Sequence, residues 1–199
     1  MIYGACFGIE LTINNIAALY YKDYFGLSLK TAGLVASLFG LMNIFARTLG
    51  GVVGDKAGMR WGLRGRVHFL GIILLFEGLA LVLFSQMAAL TLSIATLVLF
   101  SLFVQMSEGA TYSVVPFINK KALGAVAGIV GAGGNAGAVA AGFLFRMESL
   151  TWPSALLILG ILVTASSSLA LVVRFSPDYE AEVRREMETR IRVGAPEIA

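Results

Sequence analysis

Very little of this sequence is charged. Lysine, arginine, aspartate and glutamate make up 14% of its 199 residues, against 58% hydrophobic ones, and the mean hydropathy is +0.84. A water-soluble domain of this length needs far more polar surface, so a soluble globular protein is excluded and an integral membrane protein is indicated. Cysteine occurs once, at Cys6, which rules out an internal disulfide and any cysteine-based metal site. Histidine also occurs once, and His68, at the end of a basic loop, reads as a solvated or headgroup-facing imidazole rather than a ligand. No basic stretch precedes the first apolar run, so nothing resembles a cleavable signal peptide. There is no internal repeat of about 20–50 residues. The run "GAGGNAG" at 131–137 lies within an apolar segment rather than after a strand, which excludes a nucleotide-binding loop. No cofactor, metal or nucleic acid is called for, and the lipid bilayer is the first partner implied.

What is there is a series of apolar stretches. A bilayer core takes about 20 apolar residues per helix. The breaks between charged clusters predict six spans, at about 2–21, 29–54, 67–86, 90–115, 122–145 and 153–174, in an all-α polytopic membrane helix bundle. The division between the third and fourth rests on the weakly polar "SQMAAL" alone. Pro153 suits the first turn of the sixth helix. Residues 175–199 form a polar tail, with a short helix expected after Pro177 and stopped by Gly194 and Pro196. The net charge of +3 is unevenly spread. Lys56, Arg60, Arg64 and Arg66 follow the second span, Lys120 and Lys121 follow the fourth, and Arg174, Arg184, Arg185, Arg190 and Arg192 lie in the tail. Only Lys22, Lys30 and Arg146 stand on the other side. The positive-inside rule then places the C-terminus, and the start of the first span, in the cytoplasm. Met1 runs directly into "IYGACFGIELTINNIAALYY", so either the first helix starts at the membrane surface or the chain begins inside a longer protein.

Four ionisable residues fall within these spans: Glu10, Arg47, Glu77 and Glu108. Arg47 is the only charge between Lys30 and Asp55. Each costs at least about 2.5–3.5 kcal/mol at a helix centre, so each should face the protein interior or a water-filled cavity. Arg47 paired with Glu10 or Glu108 would be a structural strut; Arg47 lining a cavity would be a substrate cation. These residues alone leave both open. Helical spacing puts Tyr3, Phe7, Glu10 and Asn14 on one face of the first helix, and Gly40, Asn43, Arg47, Gly51 and Gly54 on one face of the second. Aromatic and small residues serve packing, but Glu and Asn on the same faces point to a lined cavity. The fifth span carries Gly124, Gly128, Gly131, Gly134, Gly137 and Gly142. Small residues let helices pack closely, and so many of them also bare the backbone and Asn135 to something small.

"GGVVGDKAGMR" (Gly50–Arg60) resembles the loop signature of the major facilitator superfamily, in its second-half copy between helices eight and nine. "YGACFGIELTINNIAALYY", "FARTLGG" and "AGIVGAGGNAGAV" resemble the nitrate/nitrite porters, especially the proton-coupled high-affinity nitrate members. The resemblance covers nearly all of residues 1–174. It implies the C-terminal half, helices seven to twelve, of a twelve-helix secondary transporter in the plasma (inner) membrane. The first helix would then start upstream of Met1, and a missing N-terminal six-helix half would supply the second substrate arginine.

Under that resemblance Arg47 binds nitrate or nitrite, Tyr3 and Phe7 flank the anion, and Asn135 with Gly131 and Gly134 belongs to the signature helix. The chemistry agrees, because a guanidinium stays ionised and offers paired donors to a planar oxyanion. Asp55 and Arg60 in the signature loop read as gating residues, Asp55 pairing with a nearby base to latch one conformation. The resemblance favours protons as the coupled ion, with Glu10 the titratable candidate on the cavity face. No covalent chemistry is implied, so the protein is not read as an enzyme. A facilitator of another small or organic anion, or a non-transporting membrane subunit with Arg47 as a strut, are the rival readings.

Overall fold

The computed structural model describes residues 1–193, apart from the side chains of Met187, Glu188 and residues 190–193. Gly194 and Pro196, read as the stops of the tail helix, lie outside the described residues. Among those described there is no strand, and the chain is an all-α membrane helix bundle. Its helices are α1 (Ile2–Phe25), α2 (Leu29–Leu41), α3 (Asn43–Ser85), α4 (Leu90–Val114), α5 (Leu123–Leu144), α6 (Trp152–Ser166) and α7 (Pro177–Val193). By length and apolar composition, five helical stretches among the described residues suffice to cross a bilayer: Ile2–Phe25, Leu29–Ser85, Leu90–Phe117, Lys120–Leu144 and Trp152–Val172.

The second of these has 57 residues, far more than a bilayer needs, and it folds back on itself. Gly62 has φ 69° and ψ −163°, a conformation that strains any residue with a Cβ. The contacts around it are symmetric about that residue: Gly54 lies against Phe69, Gly58 against Arg66, and Asp55 pairs with Arg66. Such widening pairs are the signature of an antiparallel hairpin with its tip at Gly62. The segment 55–66, read from its charges as a loop, is therefore helical up to Trp61 and again from Leu63. Polar residues end an apolar run without ending a helix, since backbone bonds continue as readily in water. At the other end, the helical ladder is interrupted at Met42, two residues after Gly40, so that α2 and the first half of α3 form one long broken helix.

The sixth expected span also ends differently. Regular α-helix stops at Ser166, and Ser167–Val172 continues as a 3₁₀ stretch. Ser166, Ser167 and Ser168 each donate back to a carbonyl three or four residues earlier, at 2.7–2.8 Å, which competes with the regular ladder there. Pro153 occupies the first turn of α6, with Thr151 accepting from the Ser154 N–H at 3.3 Å.

α1 is the hub. Its Tyr20 and Tyr21 pack with Phe84 of α3, Phe100 and Leu97 of α4, and Leu156 of α6 in the larger core cluster. A smaller cluster of Val67, Leu70, Ile73, Ala110, Val114 and Ala170 closes the end of the bundle nearer Gly62. α5 leans on α1 through one face only, and its opposite face is left uncovered.

Candidate functional site

Backbone proximity builds this site before any side chain does. α3 and α4 cross so closely that a Cβ at Gly109 would run into the carbonyl of Arg47, and one at Gly50 into the backbone of Met106. Only glycine permits that approach. It brings Arg47 on α3 and Glu108 on α4 face to face at the crossing itself. α1 lies across the same point and adds Glu10.

The result is one guanidinium held by two carboxylates. Arg47 Nη2 donates to Glu10 Oε2 at 3.1 Å and also pairs with Glu108 Oε2. The two acids are otherwise held differently. Glu10 Oε1 accepts from Gln105 Nε2 at 2.8 Å and from Asn43 Nδ2 at 3.2 Å. Glu108 meets Arg47 and no other donor among the described residues. Side-chain exposure falls from 37% at Arg47 to 6% at Glu10 and 0% at Glu108. The cation is therefore strutted on its buried flank and open on the other. Nη1 has no protein acceptor among the described residues, so a planar oxyanion arriving from the open side meets a free donor.

Tyr3 and Phe7 stack beside this cluster with ring centroids 5.1 Å apart and planes 6° apart, and Tyr112 meets Tyr3 edge-on at 5.4 Å. Gly134 lies under these two rings, where an added Cβ would come within 2.7 Å of Phe7 and 2.9 Å of Tyr3. Gly137 in turn lies against the backbone of Gly4, and Gly8 against that of Ala138. Gly131 faces open space, and Asn135 is exposed with its Nδ2 donating at 3.1 Å to the Gly131 carbonyl of its own helix. The structure thus brings Arg47, Glu10, Tyr3, Phe7 and Gly134 together, and leaves Gly131 and Asn135 on the uncovered side of α5 with no hydrogen bond to the cluster.

The residues expected to gate lie elsewhere. Asp55 pairs with Arg66, which is buried, also donates to the Ser113 carbonyl at 3.2 Å, and lies 4.8 Å from the Phe117 ring centroid. Arg60 is exposed and stacks over Trp61 at 5.3 Å, away from Asp55. Sequence reasoning passed over Arg66 because it is one of four cations in a short run. It also passed over Gln105, whose i, i+3 spacing from Glu108 was the available signal. Glu77 is fully buried within interaction range of the Cys6 thiol and Ser107 hydroxyl, neither of which closes a hydrogen bond to it. No group of three or more His, Cys, Asp or Glu among the described residues is arranged to hold a metal ion.

A polytopic helix bundle with a charged cluster buried between its helices has the build of a membrane transport protein. Residues 1–196 match the family model of the major facilitator superfamily, and the chain belongs to that family. Its members are transporters, not enzymes. The chain is 42% identical over 176 residues to the "High affinity nitrate transporter 2.5" of Arabidopsis thaliana, covering 88% of this chain and 35% of that protein. It is 33% identical over 144 residues to the "Nitrate/nitrite transporter NrtP" of Picosynechococcus sp., covering 70% and 26%. It is also 34% identical over 176 residues to "Elsinochrome transporter 1" of Elsinoe fawcettii, covering 82% and 33%. The chain spans about a third of the length of the curated relatives it matches. No solved structure matches it.

Proposed function

We propose that this chain is the substrate-binding C-terminal half of a secondary nitrate or nitrite transporter, with six membrane spans, a cytoplasmic C-terminus and a place in the plasma (inner) membrane. The observation that carries the proposal is the half-open guanidinium of Arg47, fixed from behind by Glu10 and Glu108 and left with an outward donor. Nitrate is planar and weakly hydrated, so one of its oxygens can take the Nη1 donor that the carboxylates leave unused, and it gives up its water at low cost. The nitrate transporters among the relatives support the substrate. A complementary six-helix half would cover the open side and complete the site, and the two halves would work by alternating access. Protons accompany the anion in this reading.

Two other readings have an observation behind them. The Elsinoe relative, whose name carries no nitrate, favours another small or organic anion, and the doubly held Arg47 favours a strut. Uptake of isotopically labelled nitrate by proteoliposomes, with the chain joined to its complementary half, separates the three. Uptake that nitrite competes for and small organic acids do not is the expected result. Competition by organic acids alone would move the substrate class, and correct insertion without anion flux would leave Arg47 a strut.

A further inference from the structure

Glu10 and Glu108 share one cation, but they are not equivalent. Glu10 has two amide donors besides Arg47, from Asn43 and Gln105, and keeps both when the guanidinium turns away. Glu108 is wholly buried and, among the described residues, has Arg47 alone. The three groups together carry a net charge of −1 when all are ionised. An anion drawn onto Arg47 would bring that to −2 in an apolar interior and would loosen the one contact that Glu108 has. A buried carboxylate stripped of its only partner, a few ångströms from a second carboxylate, is not a stable species.

We infer that Glu108 is the proton acceptor coupled to anion binding: as the anion takes the guanidinium, Glu108 takes one proton and lets go of Arg47. This rests on the anion-site reading given above. The proton comes from water on the side to which the site is open, forms an O–H bond on a Glu108 carboxyl oxygen, and returns the cluster to a net −1. Because Glu108 is sealed behind Arg47, the proton can reach it only when the guanidinium moves, and this ties the two events together. The surroundings supply no competing acceptor with the same constraint. On α1 the facing ionisable group is Glu10, with the Tyr3 phenol nearby. On α3 they are Arg47 and, toward Cys6 and Ser107, Glu77. α4 contributes the Tyr112 phenol beside Tyr3, and no charged group except Glu108 itself. The only charge on α2, Lys30, is exposed at that helix's far end.

The test is calorimetric titration of the purified transporter, this chain with its complementary half, with nitrate in buffers of different ionisation enthalpy. The wild type should take up about one proton per nitrate, and its affinity should fall about tenfold per pH unit once Glu108 is ionised in the empty site. Glu108→Gln keeps the shape and an acceptor for Arg47. It should bind nitrate with almost no proton uptake and no pH dependence, whereas Glu10→Gln should still take up one. Glu108→Asp, which retains the carboxyl, should also keep it. Proton uptake by Glu108→Gln equal to wild type overturns the inference, as does an aspartate variant or a wild type that binds nitrate without a proton. A wild type that binds no nitrate at any pH overturns the anion site itself, a result distinguishable from all of these.

Discussion

Arg47 divides its donors between two tasks. Nη2 carries both carboxylates, and Nη1 faces outward. A lysine at this position could still pair with Glu10 and Glu108, but its one remaining N–H springs from the same nitrogen as those two contacts, with no second nitrogen to turn toward a ligand. Arg47→Lys should therefore fold and lose nitrate affinity by about 1.5–3 kcal/mol, a tenfold to hundredfold effect, in equilibrium binding at fixed pH and salt. Wild-type affinity in that variant would discard the Nη1 contact. Arg47→Ala is the poorer experiment, because it leaves two buried acids facing one another at a cost of about 3–5 kcal/mol, and loss of binding would then follow from either role. A charge inside an apolar run is visible in a sequence, which is why Arg47, Glu10 and Glu108 could all be singled out there. That Glu108 and Glu10 both reach the same nitrogen could not be read. It depends on how closely α3 and α4 approach at Gly50 and Gly109, and glycine spacing does not say which neighbour it serves.

At the scale of the helix, α5 is the plainest case of a pattern that was legible while its use was not. Its glycines announce close packing, yet they point in several directions. Gly134 and Gly137 meet α1, which answers with Gly4 and Gly8, while Gly124, Gly128 and Gly131 meet nothing within 4 Å. The two sets predict different outcomes. Gly134→Leu drives a side chain into the Tyr3 and Phe7 rings and should lower stability by about 1–3 kcal/mol, measured as a lower midpoint of thermal unfolding in detergent. Gly131→Leu should leave that midpoint unchanged, and any loss of transport it causes would then report on what comes to cover that face. An equal fall in both midpoints would contradict the packing described. The helix boundaries teach a related lesson. Hydropathy reports where apolar character ends, whereas Gly62 and Met42 mark where the backbone turns or breaks, and only Gly62 signals this by residue type, since Met42 keeps ordinary right-handed helical dihedrals.

For the molecule as a whole, the bundle class was legible because composition alone demands lipid, and the family because three separate stretches carry its pattern. Orientation rests on the cations grouped around the Gly62 turn, residues 120–121 and the tail. Trp61 and Glu182 are exposed on that side, and Asp23 is exposed at the far end of α1. With Cys6 buried and quiet, cysteines placed at 61 and 182 should react with an impermeant maleimide only from the cytoplasmic face, and one at 23 only from outside. Labelling of residue 61 from outside would invert the bundle. The tail helix α7 reaches the body through two ion pairs and a buried valine, among other contacts. Glu180 pairs with Arg64 at 3.2 Å beside the Gly62 turn, Glu186 pairs with Lys120 at the start of α5, and Val183 is buried between them. Both pairs are exposed, worth about 0–1 kcal/mol each, and screened over about 8 Å at physiological ionic strength. The tail's hold on the two helix ends therefore tightens in dilute solution and slackens in brine.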